Sequence, residues 1–220
     1  MADRPSCRLC ESRKPKRFCP AVSGEICPQC CGKEREETLH CPIHCEYLLE
    51  ARKHEQPEPF DPYLYPHKDV PVGEEFVEEH RELFTVVSLS LIRAANDTPG
   101  AVDNDVRECL EAAIKTYLTL DSGIIYESKP SNLVAAAIQQ RLSDSIVEFR
   151  KFAYEKTGVH SIQDSELLRM LVFLQRLELT TNNNRRYGRA FLSALRQAFE
   201  VRDGDTPVAE EAAPASALII

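Results

Sequence analysis

Eight cysteines crowded into 39 residues constrain this chain more than any other feature. They are Cys7, Cys10, Cys19, Cys27, Cys30, Cys31, Cys41 and Cys45, while the ninth, Cys109, stands alone. Nothing in the opening MADRPSCRLC resembles the apolar core of a secretory signal. No stretch approaches the roughly 18–20 apolar residues of a membrane span. The expected compartment is the cytoplasm, without membrane association. Thiols stay reduced there, so a dense cysteine set reads as metal ligands before it reads as disulfides.

The spacing points the same way. Cys7-Arg8-Leu9-Cys10 and Cys27-Pro28-Gln29-Cys30 are C-x-x-C pairs, and three residues separate Cys41 from Cys45. Two thiolates so placed can grip one ion while backbone N–H groups donate to their sulfurs, and Pro28 with Gly32 favours a tight turn. Eight thiols supply two tetrahedral sites. One pairing is interleaved: Cys7, Cys10, Cys27 and Cys30 on one ion, and Cys19, Cys31, Cys41 and Cys45 on the other. The neighbours Cys30 and Cys31 would then point in different directions. A single site with spare thiols is the alternative, and His40 or His44 could replace a cysteine of the last pair. Zinc, as one or two ions, is the expected cofactor. An iron–sulfur cluster is the alternative, suggested by the Cys-Cys-Gly run and the Cys-Pro dipeptides. Four-ligand zinc sites are closed and structural, so no catalysis is expected at the metal.

Composition divides the chain into four. Residues 1–54 hold too few large aliphatic side chains for a core, so a metal must supply the folding free energy. Residues 55–73 carry Pro57, Pro59, Pro62, Pro66 and Pro71, which impose an extended, semi-rigid course. Phe60, Tyr63 and Tyr65 within this spacer are expected to dock it against a neighbouring region. Residues 74–202 show apolar recurrence at three-and-four spacing. A first helix carries Phe76, Val77, His80, Leu83, Phe84, Val87 and Leu91 and ends near Ala95. A second starts near Asp103, and Ser131 caps a long third that Gly158 closes. A fourth begins at Ser161 or Asp164, and a fifth runs from about Arg185. Residues 203–220 are rich in Ala, Glu and Pro and are expected to be disordered. The expected fold class is mostly α: a small metal-stabilised N-terminal module and an antiparallel bundle of about five helices.

Residues 19–48, CPAVSGEICPQCCGKEREETLHCPIHCEYL, resemble the N-terminal module of an uncharacterised bacterial family. Its signature is approximately C-P-x-x-x-G-x-I-C-x-x-C-C-G-x-x-R-x-x-x-I-x-C-P-x-x-C-x-Y-L. GIIYESKPSNL at 123–133 and the stretch 171–191 are similar to later segments of that family. The chain departs from the pattern at Leu39, commonly another aliphatic residue, and at His44, commonly acidic. The resemblance implies a zinc-finger-like module followed by an α-helical domain, and no activity.

Charge limits the function further. The net charge is −8, with a pI near 5.4, which disfavours general binding to polyanions. Residues 3–20 are locally +4, with Arg8, Arg13, Lys14, Lys16 and Arg17 lying between the first cysteines. These cations read first as compensation for thiolate charge and second as a phosphate-binding edge. Asn182 to Arg189 reads as a solvated loop, with anion binding the sharper alternative. His80 lacks the Glu-x-x-His spacing of a di-iron bundle, Cys109 reads as a small buried hydrophobe, and Tyr126 with Glu127 forms no catalytic set. The expectation is a non-enzymatic zinc-binding protein that serves as a protein-interaction or regulatory module with a protein partner. The alternatives are a nucleic-acid-binding regulator and an iron–sulfur or thiol redox protein.

Overall fold

In the computed structural model, residues 6–56, 59–121, 123, 125–158 and 162–199 are described. The tail expected over 203–220, and the end of the helical region at 202, lie outside them. The chain is mostly α, with eight α-helices and one two-stranded sheet among the described residues. Buried apolar side chains fall into two clusters, one in the cysteine-rich segment and one among the later helices.

The N-terminal cluster is framed by strands β1 (Arg17–Cys19) and β2 (Gly24–Ile26), paired antiparallel with Phe18 opposite Glu25. Helix α1 (Pro28–Glu34) follows directly, then α2 (Glu46–Arg52). The hairpin was not expected from sequence. Gly32, read as part of a turn, instead lies within α1, and Pro28 takes the first helical position, where its missing N–H costs nothing.

The periodic region gives α3 (Glu74–Glu79), α4 (Arg81–Asn96), α5 (Asp103–Asp121), α6 (Leu133–Thr157), α7 (Asp164–Thr181) and α8 (Ala190–Ala198). Helix α5 packs on α6 and α7, α4 packs on α6 and α7, and α8 lies against α4 and α7. Leu91, Leu110, Ile114, Ile138, Leu142, Leu167, Leu171 and Phe191 are fully buried between them.

Three boundaries differ from expectation. The single first helix is broken at His80, whose backbone (φ −112°, ψ 36°) leaves the helical region. The cap of α6 is Asn132, not Ser131: its side chain accepts the Val134 N–H at 2.9 Å. Helix α8 starts at Ala190 rather than near Arg185, because residues 182–189 are engaged elsewhere. Gly158 closes α6 in the left-handed region, with its N–H on the Tyr154 carbonyl.

The proline-rich segment docks on the bundle. Val70 joins the helical core, and Arg176 lies over the Tyr65 ring at 5.5 Å while donating to the carbonyls of His67 and Val70. Phe60 stacks on Tyr65. Tyr63 is exposed.

Candidate metal centre

Two C-x-x-C pairs meet at the base of the hairpin. The first pair sits in a turn closed by Cys7 N–H to the Arg13 carbonyl (2.8 Å) and Glu11 N–H to the Cys7 carbonyl (2.7 Å). The second pair opens α1, where Cys27 is the cap and its sulfur accepts the Cys30 N–H at 3.4 Å. The Cys27 N–H in turn donates to the Cys7 sulfur at 3.2 Å. The sulfurs of Cys7, Cys10, Cys27 and Cys30 all lie within 4.8 Å of one another. Tetrahedral zinc, with Zn–S near 2.3 Å, needs sulfurs about 3.8 Å apart, so this donor set fits a single ion with little movement.

Electrostatics favour thiolate at one pair. Cys10 is pulled down to about 5 by the Ser12 hydroxyl and by the backbone N–H groups of Ser12 and Arg13. Desolvation raises Cys7, but backbone donors from Cys10, Cys27 and Leu9 outweigh it, and its thiol lies below the ordinary value. Cys30 goes the other way, up to about 12, through burial and the neighbouring sulfurs of Cys27, Cys10 and Cys7. Four thiolates held this close repel one another, and a divalent cation between them removes that penalty.

The remaining four cysteines are arranged differently. Cys19, Cys31, Cys41 and Cys45 line one small cavity with Phe18, Ile26 and Leu48 among its walls. Among the described residues, no second group of three candidate ligands is drawn as tightly together as the first. Neither histidine joins the first group. His40 faces the bundle, its ring 3.2–3.4 Å from the Arg189 guanidinium and 5.1 Å from the Tyr187 ring, and His44 is exposed.

The basic residues divide between the module and solvent. Arg17 donates to the Cys31 sulfur at 3.5 Å and lies over the Tyr47 ring. Arg8 donates to the Ser23 carbonyl and Arg13 to the Gln29 side chain, whereas Lys14 and Lys16 are exposed.

Sequence reasoning missed the residue that joins module to bundle. Glu36 is fully buried, with a left-handed φ of 55° that is rare for a side chain of this kind. Its carboxylate accepts from Arg52 (2.7 Å), the Asn183 amide (2.9 Å) and the Arg189 backbone N–H (3.1 Å). Its carbonyl accepts the Tyr187 N–H at 2.7 Å. Arg185 adds a hydrogen bond to the Arg35 carbonyl and an ion pair with Glu55 at 2.9 Å. Residues 182–189, expected to be a solvated loop, thus form the docking seam. Gly188 suits this close approach, since a Cβ would stand 2.3 Å from the Asn183 side-chain oxygen and 3.0 Å from the Arg185 carbonyl, so Asn183 would have to shift. No sequence periodicity announces contacts between residues about 150 positions apart.

Beside the seam lies a polar cleft of about 550 Å³, lined by Asp103, Arg107, Glu178 and Asn182 among others. Its charged groups already have protein partners, one of them an ion pair within the cleft. Arg107 grips the fully buried Glu178 with two bonds of 2.8 and 3.0 Å, and desolvation raises the Glu178 carboxyl despite that partner. Asp103 accepts the Phe191 and Leu192 N–H groups at the start of α8. Cys109, on α5, is fully buried, which pushes its thiol up to about 12.

No family model, curated protein or solved structure matches this chain. The likeness of residues 19–48 to a bacterial family therefore rests on the motif alone.

Proposed function

We propose that this protein is a non-enzymatic zinc protein whose metal holds a protein-interaction or regulatory module against a helical bundle. The observation that carries this reading is the group of four cysteine sulfurs within 4.8 Å. Four protein ligands complete a tetrahedron and leave no position for water or substrate, as in structural sites. Sulfur donors at C-x-x-C spacing suit zinc, and the metal's binding energy becomes folding energy for a segment with a small core.

The interaction half of the reading draws support from the surface. Ile125, Tyr126 and Leu133 are exposed at the connection between α5 and α6, as is Phe18 on the module. Exposed apolar side chains that group together mark contact surfaces more often than isolated ones do. Nucleic-acid binding has weaker support, because Arg8, Arg13 and Arg17 are turned toward acceptors or rings of the module itself. No described helix is long and apolar enough to cross a membrane.

Metal analysis and a visible spectrum of protein purified without added metal test the first half. Colourless protein with stoichiometric zinc supports the reading; a coloured iron-containing protein replaces it with the iron–sulfur alternative. The second half is tested by affinity purification of the full chain from its native lysate, beside a Cys7→Ser, Cys10→Ser variant. A specific protein partner retained by the parent chain and lost with the variant is expected. Recovery of nucleic acid in a salt-sensitive manner, or of no partner, overturns it.

A further inference from the structure

We infer that Cys19, Cys31, Cys41 and Cys45 form a second metal site, for a thiophilic divalent cation such as zinc, and that this site governs the seam between module and bundle. The inference rests on the metal-binding reading above and extends it.

The four thiols come from four different segments yet line the same cavity. Cys19 ends β1, Cys31 lies in α1, Cys41 follows the loop after α1, and Cys45 caps α2. Successive residues on a helix point about 100° apart. Cys30 therefore serves the first group while its neighbour Cys31 turns to a different side of the helix, toward the second cavity. That divergence is what two adjacent cysteines in one helix are suited to do.

The cavity has the size and lining of an ion site. Its volume is about 10 Å³, near the smallest space that admits one water-sized body. A water there would want two to four polar partners, but the wall is mostly sulfurs, apolar side chains and prolines, with Arg17, Arg35 and Tyr47 also lining it. Arg17 is already directed at the Cys31 sulfur, the arrangement that steadies a metal-bound thiolate. Cys45 N–H bonds to the Pro42 carbonyl, which folds the Cys41–Cys45 pair into a tight turn. These four sulfurs are not drawn as close together as those of the first group, so a bound ion would have to gather them to the roughly 3.8 Å separation of a zinc tetrahedron.

The second site borders the bundle, and the first does not share its seam contacts. The Cys41 carbonyl accepts from Arg189 at 3.5 Å, the adjacent His40 ring meets Arg189 and Tyr187, and Arg35 on the cavity wall offers its carbonyl to Arg185. A metal that fixes Cys41 fixes one of the acceptors on which Arg189 docks, and Arg35, which offers another acceptor to the seam, lines the same cavity. Loss of that metal should loosen the seam while the first group persists.

The test is zinc per chain by elemental analysis and native mass spectrometry on full-length protein. The parent chain is expected to hold two ions. Cys41→Ser with Cys45→Ser should retain one, and Cys7→Ser with Cys10→Ser should also retain one. Hydrogen exchange over residues 182–189 should rise in the first variant more than in the second. One ion in the parent, unchanged by the Cys41/Cys45 substitutions, overturns the second site; no ion at all would instead overturn the metal-binding reading itself. Should a variant fail to fold, Co²⁺ titration of the parent chain decides. Sulfur-to-cobalt absorption must rise to two equivalents, and saturation at one refutes the proposal.

Discussion

At the scale of single residues, two buried carboxylates set measurable properties. Burial raises Asp103 from its ordinary 3.8 to about 7, against the pull of the Phe191 and Leu192 N–H groups. The native protein therefore binds a proton here that the unfolded chain has released between those values. This contribution is fully present below about pH 4 and is lost as pH rises through 7, by at most about 1.4 kcal/mol per pH unit. Denaturant unfolding at several pH values should show the parent chain losing stability relative to Asp103→Asn from pH 4 to 7. A constant difference between the two would refute it. Glu36 acts through pairing instead. Glu36→Ala strands the guanidinium of Arg52, whose side chain is only 13% exposed, and removes the acceptor for Asn183 and Arg189. A loss of about 3 kcal/mol in chemical unfolding is expected.

At the scale of elements, caps account for where helices begin. The Asn132 side chain holds the start of α6 and also donates to Asp105 on α5 at 2.6 Å. Asn132→Ala should cost about 1–2 kcal/mol, read as a lower thermal midpoint with helical content nearly unchanged. Placing the cap at Ser131 from sequence erred by one residue because both types serve equally as caps. Helices α5 and α7 were legible, since Val106, Leu110 and Ile114, like Leu167, Leu171 and Leu174, recur on one buried face. The break at His80 was not: the apolar spacing runs through it undisturbed, and its ring nitrogen binds the Phe76 carbonyl at 2.9 Å. The β1–β2 hairpin, three residues a strand, is too short to show alternation. Each C-x-x-C pair is a local turn and so was readable. The interleaved grouping of Cys19 with Cys31, Cys41 and Cys45 was one of the pairings the spacing allowed, and these four line one cavity. Spacing by itself did not choose it over a single site, because that choice depends on chain reversals between distant segments.

At the scale of the whole molecule, the separation into two apolar clusters predicts that loss of a bound metal would be a partial event. The cysteine-rich segment contributes only α1 and α2, seven residues each, to a far larger helical total. Removing the metal with a strong chelator should therefore leave most of the far-ultraviolet helical signal intact. Protease cleavage should appear within residues 6–54 before it appears in α4 to α7. Collapse of the entire signal on chelation would show instead that the bundle depends on the metal for its own stability.

The proline-rich segment is tied at both ends. Glu55 is paired with Arg185, and the carbonyls of His67 and Val70 are held by Arg176. Residues 59–70 are held along the bundle, as a strut rather than a leash. With these ties and the Glu36 contacts in place, module and bundle should tumble as one particle, and amide relaxation giving two separate rotational correlation times would refute that.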